Sequence, residues 1–141
     1  MSVEANKAVI RAFVESWNSG DPDRLGNLMD EACTLTVSGQ TMSMGPSSTR
    51  QNAEYWRGAF PDWHFELLDL IAEGDKVVAY IHYAGTQTGP VLDIPPTGRR
   101  VRVSEIVIFR VVGGKIVEAW EVYDEYGMRQ QLGVLGEAST R

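Results

Sequence analysis

The spacing of apolar residues changes once along the chain, and that change limits the architecture more than any other feature. Up to about residue 60 they recur at helical intervals, and from 63 to 124 they alternate. Val9, Ile10, Phe13, Val14 and Trp17 line one side of a predicted helix over 3–19, opposed by Glu4, Lys7, Arg11 and Glu15, with Gly20 as its C-cap. Asp21-Pro22 then supplies an N-cap and a first helical residue for a shorter helix with Leu25, Leu28 and Met29 as its buried stripe. A short strand is expected over 33–37 and a loop rich in Ser, Gly and Met over 38–47. Ser48-x-x-Gln51 reads as the capping box of a third helix, whose Ala53, Trp56 and Phe60 share a face until Pro61.

The second part reads as strand after strand. Segments 63–72 and 76–87 are joined by Gly74-Asp75; 100–112 and 115–124 are joined by Gly113-Gly114; a tail helix over 127–132 follows. Helices first and an antiparallel sheet after them argue an α+β fold, with the helices packed on one sheet face. The 141 residues, 43% hydrophobic and 23% charged, suit one domain over 1–141 with one core, and no repeat or linker interrupts them.

Charge and residue usage narrow the function. The balance of −6, with no basic cluster beyond Arg99-Arg100-x-Arg102, argues against a nucleic-acid partner, whose affinity needs concentrated positive charge. No apolar run reaches the length of a membrane span, and the first residues lack the basic start and apolar core of a signal peptide, so no membrane partner and a cytoplasmic location are expected. Cys33 stands alone, and His64 and His82 fit no metal-binding spacing, so neither a metal nor another cofactor is expected. The chemistry is left to carboxylates, aromatic rings and backbone.

With Gly113-Gly114 as a two-residue turn, Val112 pairs with Lys115, and an unbroken register assigns the faces. Val101, Val103, Glu105, Val107 and Phe109 then share a face with Glu118, Trp120, Val122 and Asp124, and Glu105 lies opposite Val122 and diagonal to Asp124. Asp124 reads either as a solvated strand end or as a carboxylate at an apolar pocket, where desolvation raises its pKa toward that of a general acid/base. Glu105 reads as a pocket acid or as a paired structural one. Trp17 and Trp120 are candidates to stack on a flat ligand, and Tyr83 shares the inward parity of Val77, Ala79 and Ile81, with His82 opposite. The other face carries Ile106, Ile108, Val117 and Ala119; apolar residues on both sides predict helices on one and a second copy of the chain on the other, a homodimer through the convex face. Cys33 reads as a small buried hydrophobe, the arginine cluster as a solvated strand edge, and 89–98 as a shaped loop lacking the phosphate-binding glycine patterns.

Several stretches in order resemble the SnoaL-like polyketide cyclases, within the wider group of cystatin-like α+β barrels. They are Trp17-Asn18-x-Gly20-Asp21, Ala59-Phe60-Pro61-Asp62-Trp63, Ile71-Ala72-Glu73-Gly74-Asp75-Lys76-Val77-Val78, and Gly85-Thr86 with Gly89. Ile94-Pro95-Pro96-Thr97-Gly98-Arg99, Phe109-Arg110 with Gly114-Lys115-Ile116-Val117-Glu118, and Trp120-x-x-x-Asp124 with Gln131-Leu132-Gly133 continue the series. The resemblance implies a cystatin-like α+β barrel: a strongly curved, mostly antiparallel sheet, closed by helices around an apolar pocket. It further implies cofactor-independent intramolecular aldol ring closure on a polycyclic polyketide ester, with Asp124 as the catalytic acid/base. A pocket for this small apolar or aromatic substrate is drawn from Trp17, Tyr83, Glu105, Phe109, Trp120 and Val122. The sequence departs from the family at Gln87, where many relatives place His, and at Glu105, where relatives often carry a small residue. Related tailoring enzymes (hydroxylase, hydrolase or isomerase) and ligand-binding proteins of the same fold are the alternatives.

Overall fold

The computed structural model describes residues 2–135. Helix α1 (Val3–Ser19) begins where the Ser2 hydroxyl accepts from the Ala5 N–H at 3.0 Å and ends at Gly20, whose φ of 69° suits a residue without Cβ. Helix α2 (Pro22–Gly26) is capped by Asp21, whose carboxylate accepts from the N–H groups of Asp23 and Arg24. It is shorter than its apolar pattern predicts. A Cβ on Gly26 would sit 3.0 Å from the Pro46 carbonyl oxygen and the Arg50 guanidinium, so helix α3 (Pro46–Ala59) lies directly on its end. Leu28 falls beyond the helix, and Met29 opens strand β1 (Met29–Val37).

The expected loop over 38–47 contains a strand. Ser38 and Gly39, with φ of 53° and 78°, form the turn of a hairpin between β1 and β2 (Gln40–Ser43), pairing Val37 with Gln40. Helix α3 starts two residues before the predicted capping box; Gly45 is its N-cap without a side-chain hydrogen bond, and Pro46 takes the first position. Strands β3 (His64–Glu73), β4 (Lys76–Thr86), β5 (Arg100–Val112) and β6 (Lys115–Tyr123) follow, and helix α4 (Glu125–Gln131) ends the series.

The strands form one open sheet in the order β2-β1-β6-β5-β4-β3, antiparallel throughout except between β1 and β6. Burial alternates strictly along β5: Val101, Val103, Glu105, Val107 and Phe109 point inward, and Arg102, Ser104, Ile106 and Ile108 outward. The inner face meets Ile10, Val14 and Trp17 of α1 and Ala53 of α3 in a single core. Each such large apolar side chain contributes about 1.5–3 kcal/mol by leaving water. Two polar clamps fix the helices to the sheet. Asn18 donates to the Phe65 carbonyl at 2.9 Å and accepts from the Phe65 N–H at 2.7 Å, and Arg57 donates to the carbonyls of Trp17 and Trp63.

The β5–β6 hairpin corrects the expected register. Val112 pairs with Lys115 and Val111 with Ile116, as a two-residue turn demands, but a β-bulge then inserts Val117. Beyond it Arg110 faces Glu118, Phe109 faces Ala119, Val107 faces Glu121 and Glu105 faces Tyr123. One extra residue turns the rest of β6 over. Ala119, Glu121 and Tyr123 therefore share the inner face with Glu105, while Glu118, Trp120 and Val122 look outward. Of the four residues expected on the convex face, Ile106 and Ile108 are exposed there, Val117 is the half-buried bulge residue, and Ala119 is buried inside.

Candidate active site

Helices α1 and α3 stand over the concave sheet face and leave a cavity of about 760 Å³, counted to its mouth. Its walls are aromatic. Trp17 stacks on Phe65 at 5.0 Å, Trp63 packs against Tyr83 at 4.7 Å, and Phe13 meets Phe109 edge-on at 5.1 Å. Met29, Cys33 and Leu35 of β1, Met44, and Thr49, Asn52 and Trp56 of α3 complete the lining. Gly85 leaves room for this packing, because a Cβ there would come within 2.7 Å of the Trp63 ring.

Two carboxyl groups, Glu105 and Glu121, lie in this apolar lining, and no Lys, Arg or His side chain borders the cavity among the described residues. They sit on adjacent strands one step off direct opposition, since Val107 is the partner of Glu121 and Tyr123 that of Glu105, so the side chains meet diagonally. Tyr83 occupies the same diagonal relation to Glu105 from β4, and its phenol interacts with that carboxyl. Glu105 is only 7% exposed, whereas Glu121 is half-buried. Burial, then the neighbouring Glu121, holds the Glu105 carboxyl well above the usual carboxylate range. Burial also raises Glu121, to about 7, with the hydrogen bond from Glu105 pulling the other way. The pair thus keeps one proton near neutrality, on the deeper Glu105, and leaves Glu121 poised to exchange its own.

The other ionisable groups of the lining stay neutral. Burial pushes the Cys33 thiol up to about 11, consistent with a small hydrophobe, and the Tyr83 and Tyr123 phenols are raised above their ordinary value, chiefly by burial. Among the described residues no three His, Cys, Asp or Glu side chains are grouped to hold a metal ion. No described helix is long and apolar enough to cross a membrane.

Of the residues named from sequence, Trp17, Tyr83, Glu105 and Phe109 line the cavity; Trp120, Val122 and Asp124 do not. The bulge is the reason. Trp120 lies on the outer face with the Lys76 ammonium 5.7 Å from its ring, and Val122 is 75% exposed. Asp124 lies beyond the end of β6, exposed, where its carboxylate caps α4 by accepting from the Gly127 N–H at 2.8 Å. It meets the need of a helix N-terminus. Gln87, fully buried, organises the 89–98 loop instead of facing the cavity: its amide donates to the carbonyls of Ile94 and Pro95 and accepts from Thr97. The arginine cluster is solvated, with Arg100 near Asp62 and Arg102 bonded to Glu66 and His82. Glu121 is the residue that sequence reasoning missed. Its one signal is Ile116-Val117, adjacent apolar residues that break the alternation where the bulge lies.

The family profile of the SnoaL-like polyketide cyclases matches residues 7–132. The chain belongs to that family. It is 26% identical over 128 residues to the aklanonic acid methyl ester cyclase DnrD of Streptomyces peucetius, covering 89% of this chain and 88% of that one. It is 30% identical over 90 residues to the nogalonic acid methyl ester cyclase of Streptomyces nogalater, covering 63% and 67%. Among solved structures, TsrD from Streptomyces laurentii superposes with a TM-score of 0.85 at 30% identity, over 96% of this chain and 99% of that one. The helix-covered, open curved sheet is thus the SnoaL-like fold, and the relatives matched in sequence are polyketide cyclases.

Proposed function

We propose that this protein closes a ring on a polycyclic polyketide ester by cofactor-independent intramolecular aldol addition, with Glu121 as the base. The observation that carries this reading is a carboxyl pair, Glu105 and Glu121, set in a cavity lined by aromatic rings. Stacked rings favour a flat, conjugated substrate, and the two relatives are named as cyclases of methyl esters. A proton between a ketone and an ester is acidic enough for a carboxylate base raised to about 7, because the enolate formed spreads its charge over two carbonyls. The enolate carbon then attacks the second carbonyl, and the resulting alkoxide takes up a proton. No redox step is needed, since product and substrate are isomers.

The outer sheet face supports the homodimer of this reading. Tyr80, Ile106 and Val122, at 37%, 51% and 75% exposure, pair across β4, β5 and β6 and form an apolar row. Arg102 with Glu66 lies to one side and Arg110 with Glu118 to the other, so a two-fold axis through the row brings each mixed-charge end over the other.

The test is conversion of a panel of anthraquinone-type β-keto methyl esters, followed chromatographically with EDTA present. The expected result is an isomeric, ring-closed product. Binding without conversion would transfer the cavity to a tailoring or carrier role, and neither binding nor conversion would remove the substrate class.

A further inference from the structure

The ring closure proposed above needs a proton donor as well as a base, and the cavity holds a second carboxyl that a one-carboxylate mechanism leaves idle. We propose that Glu105 is that donor: a carboxylic acid lining the cavity beside Glu121, oriented by Tyr83, which protonates the alkoxide as the new carbon–carbon bond forms.

The placement on three adjacent strands carries this. Glu105 stands between Tyr83 on β4 and Glu121 on β6, diagonal to each. Of the ionisable groups in the lining, Glu121 from β6 favours the neutral form of Glu105 and Tyr83 from β4 pulls the other way, while Tyr83, Tyr123 from β6 and Cys33 from β1 are themselves neutral and α1 and α3 contribute no ionisable side chain. Glu105 is the less exposed of the pair, so a single shared proton resides on it and Glu121 carries the charge. Tyr83, buried and neutral, stands diagonal to Glu105 on β4, with its phenol directed at the same carboxyl.

The cycle balances. The Glu121 carboxylate removes the α-proton and becomes the acid form; the enolate carbon bonds to the second carbonyl carbon, whose π electrons move to oxygen; Glu105 gives its proton to that oxygen. The proton now on Glu121 passes to the Glu105 carboxylate through the hydrogen bond between them, and both groups return to their starting state. Substrate and product differ by no atom. This division of labour rests on the ring-closure reading, and it differs from a single carboxylate that must take the proton and carry it to the far oxygen.

The test compares wild type with Glu105→Gln, which keeps size and hydrogen bonding but has no acid proton to give, on whichever ester of the panel the wild type converts. The expected result is a fall in kcat of about 100-fold or more with KM little changed. The wild-type rate should rise with pH as Glu121 ionises and fall at higher pH as Glu105 does; the variant should lose the falling limb. A kcat within threefold of wild type, or a falling limb that survives the substitution, overturns the inference while leaving the ring-closure reading in place. No turnover by wild type overturns that reading, and the inference with it. Carboxyl 13C NMR of wild type gives a check free of substrate and of any folding defect in the variant. Glu105 should remain protonated at pH 7, and titration in the ordinary carboxylate range overturns its role as acid.

Discussion

Replacing Glu121 by Gln should make the protein more stable above neutral pH as it removes the base. Glu121 is raised from 4.5 in the unfolded chain to about 7 when folded, so the folded state holds this proton more tightly. Stability from this group is complete below pH 4.5, declines as pH rises toward about 7, and is lost above it. At about 1.4 kcal/mol per pKa unit, the ionised group costs at most about 3 kcal/mol, less whatever its hydrogen bond from Glu105 returns. Glutamine keeps the shape and can still accept that hydrogen bond without the charge. Urea unfolding of wild type and Glu121→Gln between pH 5 and pH 8 measures the effect. Glu105 gives both proteins a common decline across this range, and beyond it wild type should fall further than the variant by up to about 3 kcal/mol, a difference in midpoint shift on the order of 1 M urea or more. Asp62 and Glu125 are both held below their ordinary values, Asp62 chiefly by the Thr86 N–H and Glu125 by Arg129, so their contributions change at lower pH and do not fill this window. A variant less stable than wild type at pH 8 would refute the claim that Glu121 is ionised at a cost inside an apolar cavity.

Asp124→Ala should cost about 1 kcal/mol by removing the cap of α4, seen as a lower melting temperature, with kcat on any converted ester unchanged. Phe60→Ala should cost about 3–5 kcal/mol, because Phe60 is fully buried and stacks on Trp63 at 4.3 Å; chemical denaturation reads it. Ile106→Lys should convert a sedimenting dimer to monomer at micromolar concentration, while wild type sedimenting as a monomer would remove the outer-face interface altogether.

The elements were readable because local physics sets them. Gly20, Asp21-Pro22, Gly74-Asp75 and Gly113-Gly114 stand at observed boundaries, and the inward parity of Val77, Ala79, Ile81 and Tyr83 matches burial along β4. Tertiary packing decided what the pattern misplaced. Met29 belongs to a strand, although its spacing fits the α2 stripe, because α3 presses on Gly26 and ends that helix. The polar stretch after Val37 hid a hairpin, despite its Ser38-Gly39 turn signal. The site suffered most from its dependence on register. Trp17, Tyr83, Glu105 and Phe109 lie before the bulge in chain order, where parity or helical spacing places them on the cavity side, whereas Trp120, Val122 and Asp124 lie beyond it. A single inserted residue exchanged Asp124 for Glu121, and spacing alone does not reveal on which side of a strand pair such an insertion falls.

The proposed base is the carboxylate inside the cavity, Glu121, and not the one that caps the last helix. Turnover of the same methyl ester by wild type, Glu121→Gln and Asp124→Asn, measured side by side at pH 8, tests it directly. Asp124→Asn should stay within a few-fold of wild type while Glu121→Gln loses about 100-fold or more in kcat. Loss of turnover in Asp124→Asn with retention in Glu121→Gln would contradict it.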